Sequence, residues 1–328
     1  MVEQGVHVGS KEIYSLLAAE VFSKRLTQSG GWFWHRIGGS DFDTVARQRS
    51  SIKPVALSSV LGKLESRIRS DRSRVRNLNG FFDLNSKTFE RSFQQYVSIL
   101  DESYAKADGF TYGGKPLIDH FNAEGSPRGF SNDYADLAVR GKDHLSYEFI
   151  EAIYPLFNTL HTWMTGKKVL VISPFSKTIE HQYSRRNELF REFKYPDFQL
   201  ITYDTPVTYN NPKDVRSASV SSRTSNWIDE MELMKLDIRK LDFDIAFLSC
   251  GSYAGPLGVE IAAMGKKAIY IGGVLNILFN VFGQRYNTDY VRAIINPETT
   301  IDALESNELM ARSGGKALAN EALRAYLR

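Results

Sequence analysis

The sequence predicts an α/β fold: a Rossmann-like, doubly wound and mainly parallel sheet with an α-rich insertion. The first observation is the segment Leu241–Gly273, which shows the pattern of a strand, a loop, a helix and a second strand. A helix between two short apolar runs implies parallel strands in a buried sheet. The second observation is that strand and helix patterns alternate throughout Lys168–Gly273. Ligands of such sheets bind beyond the carboxyl ends of the strands, so the segment also indicates where function resides.

The first half of the chain begins with a helical pattern and a strand. Ser10–Ser29 keeps an apolar stripe at helical spacing, and the apolar run Trp32–Ile37 is typical of a strand. Residues 44–165 show polar helical patterns, of which Ser86–Ala107 is the clearest, and His144–Thr165 is interpreted as another helix. We therefore expect a mostly helical insertion at 44–165.

The second half is more regular and predicts a Rossmann-like core, residues 168–286, within a single domain of residues 1–328. Short apolar runs predict its strands, and amphipathic patterns predict its helices. The strands are expected at Lys168–Ser173, Phe198–Tyr203, Asp244–Ser249 and Lys267–Gly273, and the helices at Lys177–Phe193, Ser225–Leu241, Leu257–Gly265 and Gly314–Arg328.

The composition narrows the class of protein. A formal charge of +3 over 328 residues argues against a dedicated nucleic-acid binder. Cys250 is the only cysteine, which excludes an intramolecular disulfide and a cysteine-based zinc site. No run of about 18 apolar residues occurs, so no membrane span is expected. We expect a cytoplasmic protein, with peripheral association at a membrane surface left open, as is its oligomeric state.

The first candidate site follows the strand Trp32–Ile37. Asp41 and Asp43 have the Asp-x-Asp spacing often used to hold a divalent metal on a diphosphate, and Arg36 can face phosphate oxygens. Gly38–Gly39 would let a ligand approach the backbone closely. The alternative interpretation is a tight turn in which Asp41 caps a helix.

The second candidate is Ser173–Thr178, between a strand and a helix. Ser, Thr and Lys at a helix amino end suit an anion, and Ser173 is the expected ligand contact. The segment is neither a Walker A loop nor a GxGxxG loop. Ordinary capping by Ser176 or Thr178 is the alternative.

The third candidate is the turn of the opening segment. Ser249, Gly251, Ser252 and Tyr253 offer backbone amides and hydroxyls to a nucleotide or a sugar, unless the turn binds nothing. Cys250 is not expected to be a nucleophile, because no His and Asn/Asp arrangement accompanies it.

The fourth candidate is Gly272–Gly273, followed by Asn276 and Arg285. Arg285 is interpreted either as a phosphate or acidic-sugar contact or as a surface arginine. The six histidines show no metal-ligand spacing. His35 and Arg36 are neighbours in a strand, so their side chains should point to opposite faces.

These motifs, in this order, resemble the GT-D class of glycosyltransferases. More closely, the chain is similar to uncharacterised proteins encoded with capsule and surface-glycan genes. The resemblance rests on RIGGSD, on FLSCGSYAGPLGVEIAAMGKKA followed by IYIGG, and on VLVISPFSKTIEHQY and VLNILFNVFGQRY, at Arg36–Asp41, Phe247–Gly273, Val169–Tyr183 and Val274–Tyr286. It covers about half of the chain.

The resemblance implies a nucleotide-sugar donor and a divalent metal, manganese or magnesium. The class places a DxE pair on the metal, but here Gly39 stands for the first acid and Asp41 for the glutamate. Metal binding by Asp41 with Asp43, by Asp41 alone through water, or not at all therefore stays open.

The expected function is transfer of a sugar to a glycan or lipid-linked acceptor, in surface polysaccharide or glycoprotein glycan synthesis. Asp41 is its expected catalytic residue, and Asp204 is a candidate general base by position. Two alternatives remain: another Rossmann-type transferase, of pyruvyl or methyl groups, and a non-catalytic scaffold of a glycan-assembly complex.

Overall fold

The computed structural model describes residues 20, 22–37, 45, 80–85, 87–112, 142–146, 161, 163–191, 194–208, 219–220, 223–283 and 289–305. The strands are β1 (Trp32–Ile37), β2 (Gly109–Tyr112), β3 (Asp143–Ser146), β4 (Lys168–Ser173), β5 (Gln199–Asp204), β6 (Val207–Thr208), β7 (Ser219–Val220), β8 (Ile245–Leu248) and β9 (Lys267–Tyr270). The helices are α1 (Phe89–Lys106), α2 (Ser176–Ser184), α3 (Trp227–Ile238), α4 (Ala254–Ala263), α5 (Val274–Leu278) and α6 (Asp289–Ile294). No helix in this part of the chain is long and apolar enough to cross a membrane.

Seven strands form one sheet in the order β3-β2-β1-β9-β8-β4-β5, and every pairing in it is parallel. Alternate residues of the central strands enter separate apolar clusters on the two faces. The first face carries α1, α3 and α4, and the second carries α2, α5 and a helical segment at 22–27. The predicted α/β fold with a doubly wound, parallel sheet is therefore confirmed.

The faces on which the helices lie follow from the handedness of the connections. The chain moves toward β3 when it passes from β5 through α3 to β8, and again through α4 to β9. It moves the other way from β4 through α2 to β5. Right-handed crossovers that run in opposite directions must cover opposite faces, which is what the two clusters show.

Two strands come from a part of the chain where helices are expected. β2 and β3 lie within residues 44–165, and His144 belongs to β3 rather than to the amino end of a helix. Their sequences, GFTY and DHLS, are too short and too polar to show a clear period. They are strands because β1 offers β2 an edge, with Trp34 opposite Gly109, and β2 offers one to β3.

Helix α4 packs very closely against β1 because it carries glycines on its inner side. A Cβ on Gly258 would overlap the ring of Phe33, well inside the 3.0 Å that real Cβ atoms keep. A Cβ on Gly255 would lie 3.0 Å from His35 Nε2 and 3.1 Å from the Cβ of Ser103. The distance between α4 and β1, and so the position of the loop that leads into α4, depends on these two glycines.

A network of charged groups joins α3 to the outer strand β5. Arg223 donates from Nε to the buried Glu230 at 3.1 Å and from Nη1 to Asp237 at 2.6 Å. The hydroxyl of Tyr203, on β5, donates to Asp237 at 3.1 Å. Burial raises the pKa of Tyr203 to about 12, and the hydrogen bond from Arg223 lowers the pKa of Asp237. Neutral Tyr203 and ionised Asp237 thus hold β5 to α3 over the neutral pH range.

Candidate functional site

The carboxyl ends of the strands form one edge of the sheet, and the chain leaves it in opposite directions at neighbouring strands. After β4 the chain passes to α2 on the second face, whereas after β8 it passes to α4 on the first face. Diverging connections leave a crevice between two strands, and ligands of open α/β sheets bind in such crevices. The candidate site is therefore the edge formed by the ends of β1, β9, β8 and β4.

Arg36 and Gly272 bring two distant parts of the sequence into contact at this edge. β1 pairs with β9, with Trp34 opposite Ile269. A Cβ on Gly272 would lie 2.9 Å from both Cδ and Nη1 of Arg36, and the φ of Gly272 is +63°. The left-handed backbone and the nearby guanidinium both favour glycine. The predicted site residues Arg36, Gly272 and Gly273 are thus assembled at the edge.

His35 points to the opposite face from Arg36, as the alternation of the strand predicts. Its ring packs against Phe33, Tyr104 and Tyr270. Nδ1 lies 2.8 Å from the carbonyl oxygen of Arg36, which only accepts, so the ring is assigned with its proton on Nδ1. His35 thereby fixes the backbone of Arg36 at the point where β1 ends.

Replacing His35 by phenylalanine is expected to flatten the loss of stability in acid. Burial lowers the pKa of His35 from 6.5 to about 3. Between these values the unfolded chain binds a proton that the folded chain does not. The folding stability that the neutral imidazole contributes is therefore fully present above pH 6.5. It is lost as the pH falls toward about 3.

Urea unfolding between about pH 7 and about pH 4 measures this effect. The wild type should lose up to about 1.4 kcal/mol more per pH unit than His35→Phe. The control is His181→Gln, which removes an exposed histidine from α2. Parallel curves for wild type and His35→Phe would contradict the prediction.

The loop after β8 divides its predicted ligand contacts into two groups. Ser249 is half-buried and Gly251 is exposed with a φ of +60°, so both are accessible at the edge. Ser252 and Tyr253 are buried. The hydroxyl of Ser252 accepts from Trp227 Nε1 at 3.1 Å, and the ring of Tyr253 stacks on Trp227 with centroids 5.0 Å apart. The last two residues anchor the loop to α3, while the first two face outward.

Cys250, in the same loop, is buried. Burial raises the pKa of its thiol well above the ordinary value. Since the thiolate is the nucleophilic form, this environment agrees with the interpretation that Cys250 is not catalytic.

The amino end of α2, where Ser173–Thr178 predicts an anion site, holds a carboxylate of the chain itself. The buried Glu305 accepts from the backbone N–H of Thr178 at 3.1 Å and also from its hydroxyl. The backbone N–H of Leu304 donates to the same hydroxyl at 2.8 Å. A carboxylate stabilises a helix amino end, so an external anion would have to displace Glu305. No local pattern signals this contact, because Glu305 is 127 positions from Thr178.

Ser173 and Asp204 end the neighbouring strands β4 and β5. Ser173 is fully buried, and its hydroxyl accepts from the backbone N–H of Phe175 at 3.2 Å. Asp204 is exposed at the end of the outer strand. Four interstrand spacings separate β5 from β1, which places Asp204 about 19 Å from Arg36. Asp204 and Arg36 would therefore contact different parts of a ligand.

Asn276, the third residue of α5, is a buried polar residue near this edge. Its side chain is fully buried, and neither amide atom has a hydrogen-bond partner in the described ranges. A buried polar group without a partner costs about 1–3 kcal/mol. The sequence places Asn276 after Gly272–Gly273 but gives no sign of this burial.

Several predicted residues lie outside the described ranges: Gly38, Gly39, Asp41, Asp43 and Arg285. Within those ranges no group of three His, Cys, Asp or Glu side chains could hold a metal ion. The metal site expected at the carboxylates of Asp41 and Asp43 therefore stays a prediction.

Comparison with known proteins adds little to this description. No protein-family model matches the sequence, and no curated protein matches it. A solved structure aligns with 81% of this chain and 82% of its own, at 11% identity and a TM-score of 0.41. It is described as "The highly conserved domain of unknown function 1792 has a distinct glycosyltransferase fold". The sheet and its crevice define the structural class of this protein. It is an α/β protein with its candidate ligand site at the carboxyl edge of the sheet.

Proposed function

We propose that this protein transfers a sugar from a nucleotide-sugar donor to a glycan or lipid-linked acceptor, in surface polysaccharide or glycoprotein glycan synthesis. The observation that carries the proposal is the contact between Arg36 and Gly272. These residues belong to the two motifs, RIGGSD and IYIGG, on which the resemblance to GT-D glycosyltransferases rests. Their meeting at the carboxyl edge supports a shared site.

The chemical task in such a transfer is to stabilise the departing nucleoside diphosphate. A guanidinium suits this role, because it keeps its charge and can donate two parallel hydrogen bonds to a phosphate. Arg36 would supply that charge beside Gly272, whose lack of a side chain leaves room at the backbone. The amino end of α2 is less suited, because Glu305 already accepts from it.

A divalent metal would add charge on the diphosphate, held by Asp41 alone or together with Asp43. Manganese or magnesium bound by carboxylates acts as a Lewis acid toward phosphoryl oxygens. Both aspartates follow β1 closely in the sequence, within six positions of Ile37, the last residue of that strand. Carboxylate oxygens are suitable ligands for either ion.

The remaining predicted contacts divide between donor and acceptor. Ser249 and Gly251 are accessible beside β9 and would contact the donor. Asp204 would serve as general base only for an acceptor bound at the β4–β5 end, given its distance from Arg36.

Asp41→Ala is expected to abolish the metal-dependent part of nucleotide binding and to leave the fold intact. Arg36→Met should weaken binding by at least about tenfold, because hydrogen bonds to charged groups contribute about 1.5–3 kcal/mol. Titration calorimetry with UDP, GDP, ADP and CDP, with and without manganese, measures both effects. Thermal unfolding reports whether the variants are folded.

Matched controls come from the opposite edge of the sheet. Asp242 pairs with Lys168 and Arg239 pairs with Glu260, both beyond the amino ends of the strands. Asp242→Ala and Arg239→Met should bind nucleotides like the wild type. Unchanged metal-dependent binding in Asp41→Ala would refute its role.

The same screen distinguishes the alternatives. Stabilisation by S-adenosylmethionine alone would favour a methyltransferase, and by phosphoenolpyruvate alone a pyruvyltransferase. A wild type that responds to no nucleotide, with or without manganese, would favour a scaffold.

A further inference from the structure

We infer that the side-chain amide of Asn276 binds the nucleobase of the donor nucleotide. This inference rests on the proposed function and extends it to the base of the donor nucleotide. The observation behind it is a fully buried amide whose nitrogen and oxygen both lack hydrogen-bond partners in the described part of the chain.

A nearby amide shows that the fold can satisfy such a group. Asn280 is also buried, and its Nδ2 donates to the carbonyl oxygens of Leu189 and Asn296 and to the hydroxyl of Thr299. Its Oδ1 accepts from the hydroxyl of Thr300. Asn276 lies one turn earlier, and its amide has no comparable hydrogen bonds to any described residue. The difference points to a partner outside the described residues, which we take to be a bound ligand.

Asn276 lies close to the residues that would bind the diphosphate. Its backbone N–H donates to the carbonyl oxygen of Gly273 at 3.0 Å, and that of Leu275 donates to Gly272 at 3.0 Å. These bonds place Asn276 about one helical turn, roughly 5 Å, from the glycine against which Arg36 lies. The alternation of β1 places Arg36 on the same face as Trp32 and Trp34, which belong to the apolar cluster that also contains α5. A nucleotide held at Arg36 by its phosphates would have its base near this turn.

The chemistry of the amide and its surroundings favours a base over a phosphate. Asn276 offers two donors and one acceptor, which match the mixed donor and acceptor edge of a nucleobase. Its neighbours in α5, Leu275 and Ile277, belong to the apolar cluster and suit the faces of a flat ring. A phosphate would gain only the two donors and would bring its charge into an apolar region. Because the amide is covered in the described structure, its neighbours must rearrange for the base to reach it.

Asn276→Leu separates recognition from folding. Removing an amide that has no hydrogen-bond partner among the described residues should leave the melting temperature unchanged or raise it. Affinity for the preferred nucleoside diphosphate, among UDP, GDP, ADP and CDP with manganese, should fall by at least about tenfold. Affinity for inorganic pyrophosphate with manganese, which has no base, should stay the same. Arg36→Met, in contrast, should weaken both ligands.

Calorimetry on the full chain, together with thermal unfolding, gives each outcome one meaning. A wild type that binds no nucleotide would overturn the proposed function and this assignment together. A wild type that binds, with equal binding by Asn276→Leu, would overturn this assignment alone and leave Asn276 a structural or hydrated residue. Equal loss of nucleotide and pyrophosphate would also overturn it. Should Asn276→Leu fail to fold, Asn276→Met, which is more flexible, is tested in the same way.

Discussion

Gly258→Ala is expected to destabilise the protein by about 3 kcal/mol and to weaken nucleotide binding. The added Cβ would overlap the ring of Phe33, which is fully buried beneath α4. Non-bonded carbon atoms need about 3.5 Å between them, so either the ring or the helix must move. The loop that carries Ser249 and Gly251 leads directly into α4, and movement of the helix would shift these residues relative to Arg36.

Two further variants distinguish steric overlap from backbone strain. Gly265, with a φ of +77° and no atom near its missing Cβ, reports the conformational effect alone, and Gly265→Ala should cost about 1–2 kcal/mol. Adding Phe33→Leu to Gly258→Ala should recover part of the stability, because the smaller side chain leaves space for the Cβ. Denaturant unfolding measures all three proteins. Gly258→Ala losing no more stability than Gly265→Ala would show that α4 does not depend on this contact.

Arg223→Met is expected to destabilise the fold by about 3 kcal/mol. This value is the lower end of the range of costs for breaking a buried ion pair. Glu230 is fully buried, and the backbone N–H and the Nε of Arg223 donate to its carboxylate at 2.7 and 3.1 Å. Methionine keeps the aliphatic stem but removes the cation, so a negative charge stays buried without its balance. The lower end applies because the side chain of Arg223 is 45% exposed, and solvent screens part of the interaction.

Double substitution tests whether the effect belongs to the buried charge. Arg223→Met with Glu230→Gln should recover more than half of the loss, because the charge is then absent as well. Arg239→Met removes the exposed pair with Glu260 and should cost less than about 1 kcal/mol. The effect of Arg223→Met should also shrink in acid. Arg223 lowers the pKa of Asp237, and the stability this provides is present above the ordinary pKa and lost as the pH falls through the lowered one.

Two sets of sheet strands show how far sequence reasoning extends into this fold. The bounds of β1 and β4 agree with their apolar runs, WFWHRI and KVLVIS, because strands buried on both faces need such runs. β2 and β3, which lie beside β1 at one margin, have only four residues each and polar ones among them. Both strands form because a neighbouring strand offers them hydrogen bonds. The local sequence pattern of β2 or β3 cannot show that neighbour. The long helix expected at Lys177–Phe193 likewise ends at Ser184.

Contacts between distant residues at the candidate site could be predicted from the sequence only in part. The resemblance predicts that Arg36 and Gly272 belong to one site, and the two residues lie in contact. Polarity alone could not separate Ser249, which is accessible, from Ser252, which binds Trp227. Glu305 could not be found at all, since its contact with Thr178 joins positions without any shared pattern.

The carboxylate of Glu305 makes the distribution of charge along the carboxyl edge of the sheet uneven. With the amino end of α2 already neutralised from within, the positive charge that Arg36 brings lies toward β1. Under the proposed function, a donor would therefore lie with its diphosphate at β1 and β9 and its sugar pointing toward β4. The acceptor would then approach from the β5 side, so that the two substrates meet end to end along the sheet.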